Sequence, residues 1–486
     1  MLRPGEGRAL LVLSGLLLAA FWPQLAPGVM ASDDWALAST QDFAGTHRFE
    51  LSQGRFLQAA LHALLFALGP DPVYAHSLLS LLAIPLLAFS ALLCARVLGL
   101  GPRHAFVCAL VFLDWTHTEL WTFRLGPFFL AVASLCGIAA VAMLRAPESA
   151  PAAPKPVGAA ALLLCAALAT YQTAFNLAAL LLLLALLSDL LDDGPAALRR
   201  ALLPLGAFAL GLAGYFALQR GAVVLFDLQP DPRSRLLHAA EVPGRFFEAR
   251  RYLVGLLWRD QWLRPQAVAA LEVLLLALGV LGAIVQSVRE RAPARFWIAL
   301  PLGIAAALCL SGVALPLLYW NGVLRLGLAH GLLLAGGAAL ALRFLPSRRA
   351  RTLTLALAGT LAFCDAGLAH RVFGEQRALQ DRDLAQAVLV TARLQQQPGL
   401  AQVRRISAVG HSPWYEGQLI RGSDLNHSAL SVPWSIAPLF SAASQHAFSS
   451  PSDDEQAGAV ALCKASPKWP ADGSVTARGE LAVVCF

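Results

Sequence analysis

The chain has 486 residues, 57% of them hydrophobic and 14% charged, with a formal net charge of +7. A soluble domain carries roughly 25% charged residues, so this composition, with a mean hydropathy of +0.61, excludes an ordinary soluble protein and marks an integral membrane one. Nucleic acid is not an expected partner, because no basic helix or basic-aromatic stripe lies outside the apolar segments.

Apolar runs of ~20 residues mark membrane spans. They fall near 9–30, 74–98, 104–121, 125–145, 157–171, 172–190, 200–218, 266–287, 296–319, 323–343 and 352–372. The expected fold is a polytopic α-helical membrane protein of about eleven transmembrane helices. The first run follows Arg3 and Arg8 like a signal peptide, but it exceeds an h-region of about 7–15 residues, so an uncleaved first span is expected. The fifth and sixth runs form one apolar block, divided only at Tyr171-Gln172-Thr173.

Every second connection is basic: Arg3/Arg8, Arg96/Arg103, Arg145/Lys155, Arg199/Arg200, Arg289/Arg291/Arg295 and Arg343/Arg348/Arg349/Arg351. The short connections opposite hold only Arg124 and Arg325 nearby. Excess Lys and Arg stay cytoplasmic, so the N-terminus is expected inside and the C-terminal region outside. Residues 1–372 then form a membrane domain with outer loops 31–73 and 219–265. Residues 373–486 form a small extracytoplasmic α+β domain. In the first loop, residues 55–69 are too short to span and read as an interfacial helix.

The tail opens with a helical pattern ending at Pro398-Gly399, followed by a strand-like RISAVGH. Its last stretch, ALCKASPKWPADGSVTARGELAVVCF, reads as two strands around a turn. Antiparallel pairing there brings Cys463 beside Cys485, and an oxidising outer compartment permits a disulfide. The other six cysteines lie in apolar runs without metal-ligand spacing and read as core residues.

The chemistry-bearing candidates lie on the outer side. Asp33 and Asp34 follow the first span, where two carboxylates are either a solvated helix end or a working pair. In the working reading one is a general base, and the other orients it or binds a divalent cation. No cofactor is otherwise implied. Trp35 adjoins them at a depth that tryptophan favours. The loop FLDWTHTELWTFRLG holds Asp114, His117, Glu119 and Arg124 among Trp115, Trp121 and Phe123. That mixture suits a sugar, through hydroxyl hydrogen bonds and ring stacking, or else an aromatic belt with solvated charges. Tyr171 and Gln172 form a polar notch facing a cavity or an interhelical contact. The amphipathic stretch GRFFEARRYLVGLLWRDQW places Arg245, Arg250, Arg251 and Arg259 at headgroup level, where guanidinium forks hold phosphate. Asp365 reads as a structural ion pair or an interfacial charge.

The first span followed by an outer acidic pair resembles the GT-C superfamily of membrane glycosyltransferases. SDDW (32–35), GRFLQ (54–58), YQ (171–172), AVGHSPWYEG and the C-terminal WP-DGS-VV-F pattern are similar to the serotype-converting O-antigen glucosyltransferases, the Gtr family. That resemblance implies inverting transfer of a sugar, often glucose, from a polyprenyl phosphate to a hydroxyl of a cell-surface polysaccharide. It implies the outer face of the bacterial cytoplasmic membrane, with Asp33 or Asp34 as base. Arg55, in the first loop, is a second candidate for the donor phosphate beside the arginine-rich loop. The competing classes are a transporter or flippase, whose internal repeats are not evident here, and a non-catalytic envelope-polysaccharide assembly protein.

Overall fold

A computed structural model describes the chain outside residues 1–2, 26–29, 40–42, 70–71, 125, 146–155, 230, 232–236, 259–263, 313–322, 398–399, 411–424 and 445. Among the described residues the helices are α1 (Glu6–Leu25), α2 (Ser32–Ser39), α3 (Phe43–Ser52), α4 (Phe56–Leu68), α5 (Pro72–Val97), α6 (Leu110–Leu113), α7 (Thr118–Thr122), α8 (Gly126–Arg145), α9 (Val157–Thr170) and α10 (Ala174–Asp193). They continue as α11 (Ala196–Arg200), α12 (Leu202–Leu225), α13 (Val242–Leu257), α14 (Gln266–Arg289), α15 (Pro293–Leu308), α16 (His330–Phe344), α17 (Arg348–Gln395), α18 (Pro433–Ser444) and α19 (Asp453–Ala465). The strands are β1 (Arg405–Val409), β2 (Val475–Arg478) and β3 (Leu481–Cys485).

Eight described helices are long and apolar enough to cross a membrane, and each coincides with an expected span. The other three expected spans, 104–121, 157–171 and 296–319, are represented by shorter apolar helices. The first of these is a correction. Residues 102–122 are not one helix but a 3-10 segment, Pro102–Ala109, then α6, a 3-10 turn at Trp115–His117, and α7. The cause is Asp114, whose carboxylate accepts the Thr116 backbone N–H at 3.0 Å and caps a new turn.

The polar notch divides the fifth and sixth runs. Tyr171 adopts φ −153° and ends α9, and α10 begins at Ala174. In the bundle, α5 packs on α8, α8 on α9, α9 on α12, and α14 on α16. The α14–α16 crossing depends on small residues: a Cβ on Gly279 would lie 2.6 Å from the Gly337 carbonyl oxygen. Close backbone approach through glycine is a general way to hold apolar helices together.

The tail sheet has the order β1-β3-β2, with β1 and β3 parallel and β3 and β2 antiparallel. Two expectations change here. Cys463 lies in α19, not in a strand, because Ser452 and Glu455 form a capping box that starts a helix. Cys463 and Cys485 are nevertheless disulfide-bonded, with Cα atoms 5.2 Å apart. The tail does not begin after a separate last span either, since α17 runs unbroken through residue 372 into the tail.

Candidate active site

The end of α1 is fastened to the 114–124 loop, and the chain after it to the tail. The Met30 N–H donates to Gln380 Oε1 of α17 at 2.7 Å. Phe21 stacks on Trp121 at 4.0 Å, and Gln24 donates to the Thr122 carbonyl at 2.9 Å. Trp35 is buried in a cluster with Val390, Ile406, Phe440 and Phe486. The expected sugar-facing Trp35 is therefore corrected: its ring is an apolar anchor for the tail.

That anchoring separates the two carboxylates. Asp34 is fully buried. Its Oδ2 accepts the Ala31 N–H at 2.8 Å, and its Oδ1 accepts the Arg124 N–H at 2.9 Å. Burial pushes its pKa from 3.8 up to about 7, against the two backbone donors and the Arg124 charge. Asp33 is exposed and accepts the indole N–H of Trp434, in α18, at 2.8 Å. Trp434 is itself 56% exposed, so an open aromatic ring stands beside an open carboxylate. Arg124 in turn is held to α5, its carbonyl by Ser80 at 3.1 Å and its guanidinium by Ser77.

A second polar group forms where the first loop meets the notch. Gln172 Nε2 donates to the Gln53 carbonyl at 2.7 Å and to the Tyr215 hydroxyl at 3.2 Å. The Arg55 guanidinium lies 5.4 Å from the centre of the Tyr171 ring, and its buried Nε has no hydrogen-bond partner among the described residues. Arg325 is close enough for its charge to act on both Arg55 and Tyr171. It pairs with Glu119 at 2.9 Å, while the Leu324 N–H donates to the same carboxylate at 3.1 Å. Two cations and one carboxylate thus lie within electrostatic reach of the Tyr171 ring, and a pair of guanidinium groups suits an anion.

The wall between the two groups is polar. Arg124 lies within electrostatic reach of His76 at the start of α5. His76 meets the His62 ring edge-on at 5.2 Å. His62 pairs with Glu50, whose carbonyl accepts the Arg55 N–H at 2.9 Å across the α3–α4 corner.

Other expected site residues have structural partners. Asp114 is not on an open face: it is fully buried, 2.8 Å from His330 Nδ1. His330 lies 3.7 Å from Glu272, which pairs with Arg264, whose guanidinium covers the Trp115 ring at 5.0 Å. This network ties the 114–124 loop to α14 and α16. Glu119 and Arg124 are also buried, and their backbone neighbours hold the loop. His117 bonds the Leu328 carbonyl at 3.0 Å. Asp365 is neither interfacial nor ion-paired: it is buried, with no hydrogen bond to its carboxylate among the described residues. In the arginine-rich segment, Arg245 is buried and 3.2 Å from Glu248, and Arg250 and Arg251 are exposed on α13. Arg259 lies outside the described residues. Among these no group of three or more His, Cys, Asp or Glu is placed to hold a metal ion. Both Asp34 oxygens accept backbone N–H groups, whereas Asp33 is exposed.

Trp434, Tyr215 and Arg325 escape the sequence reading. Arg325 had a signal, as one of two arginines beside the short connections that are poor in Lys and Arg. Trp434 had none, because its partner is 401 residues away.

Residues 33–335 match the family described as Glucosyl transferase GtrII. No curated protein matches the chain, and no solved structure does. The matched stretch starts at Asp33 and includes Arg55, the notch and Arg325, while the tail lies beyond it. With well over half its length matched and its membrane-length helices, the chain belongs to the GtrII glucosyl transferase family, as a multi-pass membrane glycosyltransferase.

Proposed function

We propose that the enzyme moves a glucosyl group from a polyprenyl-phosphate donor to a hydroxyl of a surface polysaccharide such as O-antigen. The reaction takes place on the outer face of the bacterial cytoplasmic membrane. The observation that carries this reading is the division of labour in the acidic pair: Asp33 is open to an incoming hydroxyl, and Asp34 is buried beneath it. Asp33 takes the proton of the acceptor hydroxyl as its oxygen attacks the anomeric carbon. The bond from that carbon to the phosphate oxygen breaks, and the lipid phosphate leaves with the electron pair. A single displacement of this kind inverts the anomeric centre. Arg55 and Arg325 stabilise the leaving phosphate, while Arg250 and Arg251 attract anionic headgroups at the bilayer surface. Asp34 is a positioning residue.

The domain reading follows the same geometry. Residues 1–372 hold the donor in the membrane, and residues 373–486 fold outside and present Trp434 beside Asp33. Asp33→Asn should abolish glucosylation of surface glycan, read by mass spectrometry, while the protein still inserts. Unchanged glycan in that variant would refute the assignment.

A further inference from the structure

Between α4, α9 and α12 lies an apolar groove of about 970 Å³, at the upper end of the range of about 300–1,000 Å³ usual for ligand sites. Small side chains line it, Ala166 and Ala169 from α9 with Ala217 and Gly221 from α12, the last two exposed. Its rim is made of large exposed ones, among them Leu162 and Leu225 at 71% and 77% exposure. A lipid-facing surface that only meets bulk acyl chains needs no such step in side-chain size. The groove also borders the Arg55 group. Phe56 lines it and directly follows Arg55, and the Phe56 and Tyr215 rings lie 6.2 Å apart. Tyr215 packs with Cys165 and Ala169 of the groove on one side and accepts from Gln172 on the other. Gly54, at φ +76°, lets the first loop close over that hydroxyl: a Cβ there would lie 2.3 Å from it.

An apolar groove whose lining begins one residue after a partly buried guanidinium suits a long hydrocarbon chain with an anionic head. The geometry points to this groove as the seat of the donor's polyprenyl tail, with Phe56 and Tyr215 marking the junction between tail and phosphate. The inference rests on the lipid-linked donor proposed above, and it adds where the lipid enters: laterally, between α9 and α12.

The test exploits Gly221, where an added Cβ meets nothing within 4 Å. Ala217→Leu combined with Gly221→Leu adds bulk to the α12 wall of the groove, and leucine suits a helix better than glycine. The purified full-length enzyme in detergent is assayed with glucosyl phosphate on a long polyprenyl tail and on a two-isoprene tail. For the variant, KM for the long-tail donor should rise about tenfold, the loss expected when a few buried methylenes are displaced. Its turnover of the short-tail donor should match wild type. Equal loss with both donors, or no loss with either, would overturn the groove and leave it to annular lipid. A wild-type enzyme that uses neither donor would overturn the donor class itself, and the groove with it.

Discussion

Asp33 and Asp34 are neighbours in sequence with opposite surroundings, and the roles proposed for them rest on that difference. An acidic group whose pKa is raised on folding binds more protons in the folded state than in the unfolded one. Asp34 therefore stabilises the fold least at high pH: its contribution is full below 3.8 and is lost as pH rises to about 7. Thermal unfolding in detergent should show a midpoint that falls over that range, and Asp34→Asn should flatten the slope. A wild-type midpoint that rises instead would show that Asp34 is not the buried group described. At the phosphate, a hydrogen bond to a charged group contributes about 1.5–3 kcal/mol. Arg55→Ala should accordingly raise KM for the donor by about tenfold or more, with partial recovery in Arg55→Lys. An unchanged KM would remove Arg55 from the phosphate. Nothing local in the sequence separated the two aspartates. Their environments are set by Arg124 and Trp434, 90 and 401 residues distant.

Elements were legible where a local rule governs them. The break between α9 and α10 falls at the polar triplet, because three hydrogen-bonding residues in an apolar run are cheaper at a turn than inside a lipid-facing helix. The 102–122 segment defeated the same logic. Its average is apolar, yet Asp114 caps a turn mid-run and finds His330 in the core. Likewise ALCKAS looks like a strand by composition, and the capping box upstream makes it helical. The disulfide then staples α19 to β3 across a separation of 22 residues. A loop of that size implies about 3 kcal/mol of stabilisation. Cys463→Ser should make the tail markedly more protease-sensitive under non-reducing conditions while α1–α16 stay inserted. Equal protease resistance would mean that the sheet holds without the bridge.

Across the whole molecule, charge sorts the two ends of the bundle. The basic end is knitted by ion pairs, Arg96 with Glu6, Arg145 with Asp189 and Arg343 with Asp192. Elsewhere Arg55, Glu119 and Arg325 come within electrostatic reach of Tyr171. Hydropathy and the Lys/Arg bias determined this much from sequence alone: a multi-span helical protein, an acidic pair at one end, and a soluble-like tail. Both signals are sums over many residues, so they survive without knowledge of contacts. Which aspartate is exposed, that Trp35 is a core residue, that Arg325 lies near Arg55, and that α4, α9 and α12 line a groove were decided only by the tertiary structure. Each depends on a pairing between distant segments, and such a pairing leaves no periodicity for a single sequence to display.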